Sequence, residues 1–267
     1  MGSTLGIYRR IGASRVRAQA QYRLSLGLQV CGTFLFAFMD FVMILILFTH
    51  FSQLAGWSLG EIAFLYGTSY MPFRGVDVLM TNMDQLPTHI RLGTFDQVLT
   101  RPLGSLGQIL TGDLDVRHVG GMVQGALVLA YALAQVSIDW TPTRVLVLAS
   151  MILSAVVIFG AVWVATNSIA FWTTDGREVA NTFTYGGNYV TNYPIHIFGR
   201  WLRRVLTFGI PLAFVNYYPS LYVLGRRDVT EAPSWFPFLS PVAAIVVSIV
   251  AGMVWRVAVR HYRSTGS

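Results

Sequence analysis

His89-Ile90-Arg91-Leu92-Gly93-Thr94-Phe95-Asp96-Gln97-Val98-Leu99-Thr100-Arg101-Pro102 is a short polar island between two long apolar runs. It carries its own start and stop signals. Thr94 and Gln97 have capping-box spacing: the Thr hydroxyl can accept from the third helical N–H, and the Gln side chain can reach back to the cap. Pro102 disfavours helical backbone at Arg101, so the helix is expected to end near Thr100. About two turns remain, presenting Phe95, Val98 and Leu99 at helical spacing. Two turns are too short to persist alone, so something must hold them. Two readings stay open here: a connector lying on a membrane surface, or a knob that fits a groove on another protein.

The runs on either side set the class. Of 267 residues, 54% are hydrophobic and 12% charged, with mean hydropathy +0.55. Soluble domains have about a quarter of their residues charged, so this composition describes an all-α integral membrane protein. All 19 basic residues are Arg. Without lysine there is no Walker A, Schiff-base or pyridoxal-phosphate lysine, and any ATP that drives the chain is bound by another. One cysteine, Cys31, excludes an intrachain disulfide and a thiolate zinc cluster. Leu28-Gln29-Val30-Cys31 has a faint likeness to a lipoprotein cleavage site, but the apolar run follows the cysteine, which is expected to be a buried thiol. The His residues form no HExxH pair, and no metal site is expected. The net charge of +7 is read as a topology signal rather than as affinity for nucleic acid.

Residues 1–23 carry Arg9, Arg10, Arg15, Arg17 and Arg23 with Leu5, Tyr8, Ile11 and Val16 between them, the pattern of an amphipathic interfacial helix. A cleaved signal peptide is the alternative, but the following run is too long and lacks a cleavage site. Six spans are expected at 24–48, 59–80, 116–138, 144–172, 205–224 and 238–259. The first contains Asp40, a carboxylate that costs several kcal/mol at such depth unless paired or hydrated. It is either a cavity-facing contact for a cation or a hydrogen-bonded helix contact. In the second, Gly60, Gly67 and Gly75 permit close helix approach, and Arg74 and Asp77 can pair within the helix. Asp113 and Asp115 suit the N-terminus of the third. Asn167 and Ser168 are expected to join helices. Residues 173–204 read as a polar loop, in which Gly186-Gly187-Asn188 lacks any P-loop context. The 205–224 run is interrupted by Pro211 and Pro219, which predicts a fifth span with a partial re-entrant turn. Arg226, Arg227, Asp228 and Glu231 form a short polar turn before the last span.

With the N-terminus inside, the arginines divide fifteen inside and three outside, with Arg74 within a span. That bias places both termini and the 94–100 helix in the cytoplasm.

At this point the chain resembles a permease of the ABC-2 type transporter family, in particular the bacterial exporters that pair two small six-span permeases with a separate ATPase. Four features carry the likeness: the basic helix before the first span; Ile90-Arg91-Leu92-Gly93-Thr94-Phe95-Asp96 with Leu99 and Arg101-Pro102; the run from Ile210-Pro211 through Asn216-Tyr217-Tyr218-Pro219 to Leu224-Gly225; and the tail Arg260-His261-Tyr262-Arg263-Ser264-Thr265-Gly266. The resemblance implies that the inner loop is a coupling helix docked on an ATP-binding cassette ATPase. That role falls on Arg91, Thr94, Phe95, Asp96, Gln97, Val98, Leu99 and Arg101. It implies a substrate path including Asp40, Asn216 and Tyr217. It further implies two ATPase subunits carrying the ATP and Mg, no cofactor in this chain, a homologous second permease, surrounding membrane lipids, and a bacterial inner membrane location. The cargo class implied is a small amphiphilic or cationic drug, antibiotic or lipid-like compound, as in multidrug efflux. Two other classes compete. An ion-coupled secondary transporter would use Asp40, though no internal repeat is evident. An intramembrane enzyme would need a nucleophile–base pair that the sequence does not show.

Overall fold

Among the described residues, four helices are long and apolar enough to cross a bilayer: Arg23–His50, Val116–Gln135, Pro142–Phe171 and Ser240–His261. The computed structural model describes residues 4–173, 176–227 and 232–263. Asp228 and Glu231 of the expected polar turn, and Ser264, Thr265 and Gly266 of the tail, lie outside the described residues. Apart from one isolated bridge between Leu54 and Trp57, every described element is helical.

In chain order these are α1 (Thr4–Ala20), α2 (Arg23–His50), α3 (Leu59–Asp84), α4 (Leu86–Arg91), α5 (Phe95–Leu99) and α6 (Ser105–Gly112). They continue with α7 (Val119–Gln135), α8 (Pro142–Asn167), α9 (Gly176–Thr191), α10 (Arg200–Arg204), α11 (Tyr217–Val223) and α12 (Ser240–His261). The starts are written in the sequence. Ser58 and Glu61 form a reciprocal capping box at α3, with the Ser58 amide 2.8 Å from the Glu61 carboxylate. Thr141 caps α8, and Pro142 occupies its first position, where a missing N–H costs nothing.

α3 is the axis of the bundle, packed on α7, α8 and α9, while α12 packs on α8 and α2 on α7. Close approach is made possible by glycine. A Cβ at Gly67 would stand 2.7 Å from that of Leu129, and one at Gly125 would stand 2.8 Å from the Met71 amide. Only hydrogen fits at either place, so α3 and α7 meet backbone to backbone. α2 is bound more sparsely: of its 28 residues only Ala37, Phe41 and Ile44 are buried. Cys31 lies off that face and is exposed, contrary to the expected buried thiol.

The 205–224 run is interrupted, as its prolines indicate, and contains no helix of spanning length. α10 passes into a π-turn at Val205–Gly209, the chain leaves the helix at Ile210 and Pro211, and α11 covers only seven residues. Seven helical residues reach about 10 Å, well short of a hydrocarbon core of about 30 Å. Pro211 removes a donor and ends the helix. The long helix of this region is instead α9, inside the stretch read as a polar loop. Its inner side is Ala180, Thr184, Gly187, Asn188 and Thr191, all buried. Asn188 Nδ2 donates to Ser69 Oγ (3.2 Å), and Ser69 and Thr191 hydroxyls meet at 2.5 Å. These polar side chains therefore face α3 with their hydrogen bonds made.

The bundle has two distinct ends. At one, α3 runs on into α4 and α5. At the other lie Trp57, His196 (which meets the Ala55 carbonyl at 3.2 Å), and Arg226 (which grips Glu61 at 2.6 Å). α10 belongs to this second end, a few residues beyond His196. Arg200, Arg203 and Arg204 therefore lie opposite α5, not beside it. The division of arginines between the ends becomes twelve against six, still weighted toward α5.

Candidate functional site

The α5 end is built from a corner. α3 ends at Asp84, α4 follows with Pro87 in its first turn, and Gly93 turns the chain at φ +67°, a conformation open to glycine. α5 then runs Phe95–Leu99 and stops before Pro102, as the sequence indicates. The start differs from expectation. Thr94 has helical backbone and makes no cap; its hydroxyl donates to the His89 carbonyl (3.3 Å) and meets His89 Nδ1 at 2.9 Å. The corner at Gly93 brings the last turn of α4 within reach, and the hydroxyl is used there. His89 Nε2 lies 3.3 Å from Asn82 Oδ1, and burial holds the imidazole below its usual pKa.

Phe95 was expected to project with Val98 and Leu99. It is instead fully buried. Its ring stands edge-on to Phe171 (5.1 Å), in the 3-10 turn that follows α8, to Tyr262 (5.0 Å), just after α12, and to Trp255 (6.5 Å) of α12. Trp255 Nε1 in turn donates to Ser105 Oγ of α6 (3.3 Å). From the other side, Gln108 Nε2 donates to the Val98 carbonyl at 2.8 Å. Asp96 lies beside the Tyr262 hydroxyl; burial and that carboxylate push the phenol up to about 12. The outward surface is Arg91, Leu92, Gln97, Leu99, Arg101 and Pro102. Leu92 and Leu99 are 60% and 45% exposed, and Arg91 and Arg101 make no ion pair among the described residues. Two exposed leucines thus lie between two guanidiniums that have no ion pair among the described residues.

Midway along the bundle lies Asp40. It is half-buried on α2, beside the face formed by Ala37, Phe41 and Ile44. Its charge is within electrostatic reach of Arg74, Tyr66 and Tyr70 on α3, and of Tyr189 and Tyr193 at the end of α9. Among the described residues it makes no hydrogen bond or ion pair. The other carboxylates on α3 are satisfied. Asp77 holds Arg74 (2.9 Å), His118 (3.1 Å) and the Tyr185 hydroxyl (3.2 Å), which confirms the expected pair and enlarges it. Asp84 accepts from Trp163 Nε1 (2.6 Å) and Asn167 Nδ2 (3.4 Å). For the helix-contact role open to Asp40, the described residues supply no hydrogen-bonding partner from a neighbouring helix.

Asn216 and Tyr217 are placed differently. Asn216 Nδ2 donates to the carbonyls of Leu65 (2.9 Å) and Thr191 (2.6 Å), pinning the start of α11 to α3 and α9. Tyr217 is buried against Trp57 (6.1 Å) and His196 (6.2 Å). The void they border has a volume of ≈ 10 Å³, room for about one water. Both line that void, and the contacts they make here are packing contacts.

The family model described as "ABC-2 family transporter protein" matches residues 34–266. The chain belongs to that family. Comparison with curated proteins and with solved structures returns no match. The match includes Asp40, the α5 corner and the broken 205–224 segment. An ABC-2 permease is the membrane component of its transporter, carries no ATPase site of its own, and normally works with ATP-binding cassette ATPases. Sequence reading missed Phe171, Trp255 and Tyr262, the socket of Phe95, and Tyr189 and Tyr193 near Asp40. The i, i+3/i+4 recurrence of small residues at Ala180, Thr184, Gly187 and Thr191 is the signal that marks α9 as a packed helix.

Proposed function

We propose that this ABC-2 permease exports a small amphiphilic or cationic compound across a bacterial inner membrane, with both termini in the cytoplasm. Two ATPase subunits, which carry the ATP and Mg, drive it through α5, and a homologous second permease completes the path. In this reading α3 and α9 are the second and fifth crossings, and 200–224 re-enters from the outer side. The observation that carries it is the α5 corner, with Leu92, Leu99, Arg91 and Arg101 outward and Phe95 locked inward. Closure of the ATPase dimer displaces the corner. Covalent linkage through α4 moves α3, and the Phe95 socket moves α12 with it, so a rigid-body switch follows. Asp40 then attracts the cationic part of the cargo, offsetting its own desolvation.

Site-directed crosslinking tests this. In a Cys31→Ser background, Leu99→Cys is expected to crosslink to the ATPase in membranes and to be alkylated only from the cytoplasmic side. Alkylation from the outside, or crosslinking to lipid alone, overturns the proposal. The unpartnered Asp40 also favours a second reading, an ion-coupled secondary transporter. Transport in vesicles that lack any ATPase but hold a proton gradient would establish that reading instead.

A further inference from the structure

Arg200, Arg203 and Arg204 stand at the end of the bundle remote from α5, where basic residues are otherwise scarce, and none makes an ion pair among the described residues. Directly beyond them the π-turn at Val205–Gly209 forms one wall of an apolar cavity of ≈ 340 Å³. Phe208, Pro211, Trp235, Leu239, Val242 and Val246 line it, with α12 as the opposite wall. Thr207 Oγ1 donates to the Arg203 carbonyl at 2.8 Å, so the cations lie one helical turn from the cavity. Trp201 (76% exposed) and Phe208 (74% exposed) stand beside them, the exposed aromatic surface that membrane interfaces collect.

We infer that this is a binding site for an anionic phospholipid of the outer leaflet, with its phosphate on the Arg200–Arg204 cluster and one acyl chain in the groove against α12. The inference rests on the membrane orientation proposed above. Three observations choose the occupant. The groove is apolar and faces away from the bundle, which suits hydrocarbon. The cluster is cationic and unpaired among the described residues, which suits a phosphodiester that can accept several guanidinium hydrogen bonds at once. The two are one turn apart, the spacing of a headgroup and its own chain rather than of two ligands. Arginines on the outer side run against the positive-inside tendency, and an anionic headgroup gives these three a counter-ion. A lipid seated there would also brace the broken 205–216 backbone, whose π-turn and Pro211 leave α10 and α11 without a continuous helix between them.

The test is native mass spectrometry of the full-length permease, exposed in mild detergent to equimolar phosphatidylglycerol and phosphatidylcholine. The wild-type chain is expected to retain phosphatidylglycerol preferentially. Each arginine near an anionic surface is worth about fivefold in affinity, so R200Q/R203Q/R204Q is expected to reduce the preference by about a hundredfold. Ala243→Phe, which fills the groove and keeps every arginine, is expected to lower phosphatidylglycerol retention as well. A circular-dichroism melt in phosphatidylcholine shows that each variant is folded. Equal retention of the two lipids, unchanged retention in the triple variant, or displacement of the lipid by glycerol phosphate at equal concentration overturns the inference. So does crosslinking of Val246→Cys to a polypeptide in place of lipid. Lipid retention is read without ATP or an ATPase, so failure here leaves the exporter proposal standing, and failure of that proposal leaves this measurement intact.

Discussion

Phe95→Ala separates the root of the coupling corner from its outward surface. The ring is fully buried against three aromatic side chains at centroid distances of 5.0, 5.1 and 6.5 Å. Deleting a buried Phe side chain costs about 3–5 kcal/mol, a total that includes edge-to-face pairings of about 0.5–1.5 kcal/mol each. α5 is five residues long and has no stability of its own. What remains to hold it is the Gln108–Val98 hydrogen bond, worth about 1 kcal/mol net, the Asp96–Tyr262 interaction and the His89–Thr94 contact. The loss therefore falls on the corner and not on the α3–α7–α8 core. At about tenfold per 1.4 kcal/mol, amide exchange at residues 94–100 is expected to quicken by two to three orders of magnitude, with the long helices unaffected. Reconstituted with its ATPase, the variant is expected to hydrolyse ATP at a near-normal rate while transport per ATP falls at least tenfold, because the displaced corner no longer pulls α12. Leu99→Ala is the contrast: exposed and without a socket, it is expected to weaken ATPase docking and leave exchange unchanged. Wild-type exchange at 94–100 in Phe95→Ala, or wild-type transport per ATP, would refute the account of Phe95 as the mechanical root.

Other expectations follow from the same geometry. Asp40→Asn is expected to cut transport of a cationic amphiphile at least tenfold and to spare a neutral analogue; equal effects on both, measured by vesicle uptake, would remove Asp40 from cargo recognition. Gly67→Leu forces α3 from Leu129 and is expected to destabilise the permease by about 1–3 kcal/mol, whereas Gly186→Ala, where nothing lies within 4 Å of a new Cβ, is expected to be neutral or stabilising by under about 1 kcal/mol; detergent melts check both. His89 has its pKa lowered by burial, so its contribution to the corner is fully present above the unfolded value near 6.5 and is lost as pH falls below it toward the folded value. Protection of 94–100, taken relative to the intrinsic exchange rate at each pH, should thus fall as pH drops below about 6.5, and His89→Gln should abolish that dependence; an unchanged profile in the variant would assign it to another group.

The sequence made much of this architecture legible because apolar length and end signals are local. The capping box at Ser58–Glu61, Pro142 at the start of α8 and Pro102 after α5 all act within a few residues of themselves. α9 escaped because mean hydropathy counts Thr, Asn and Gly as loop formers without knowing their partners. Asn188 and Thr191 are polar in composition and satisfied in place by Ser69. Phe95 escaped for a related reason. Its periodicity with Val98 and Leu99 is real, but which side of so short a helix is outward depends on Phe171, Trp255 and Tyr262, residues far away in sequence. Asp40 could be flagged from its apolar setting, yet only the structure shows that none of the described residues hydrogen-bonds to it.

The socket that receives Phe95 has an implication for synthesis. Its last wall, Tyr262, leaves the ribosome roughly 170 residues after Phe95, a delay of about 8–33 s at 5–20 residues per second. Throughout that interval the corner is already emerged but unanchored. Under the proposed coupling role, an ATPase that bound a nascent chain would turn an unattached handle until the final helix is made.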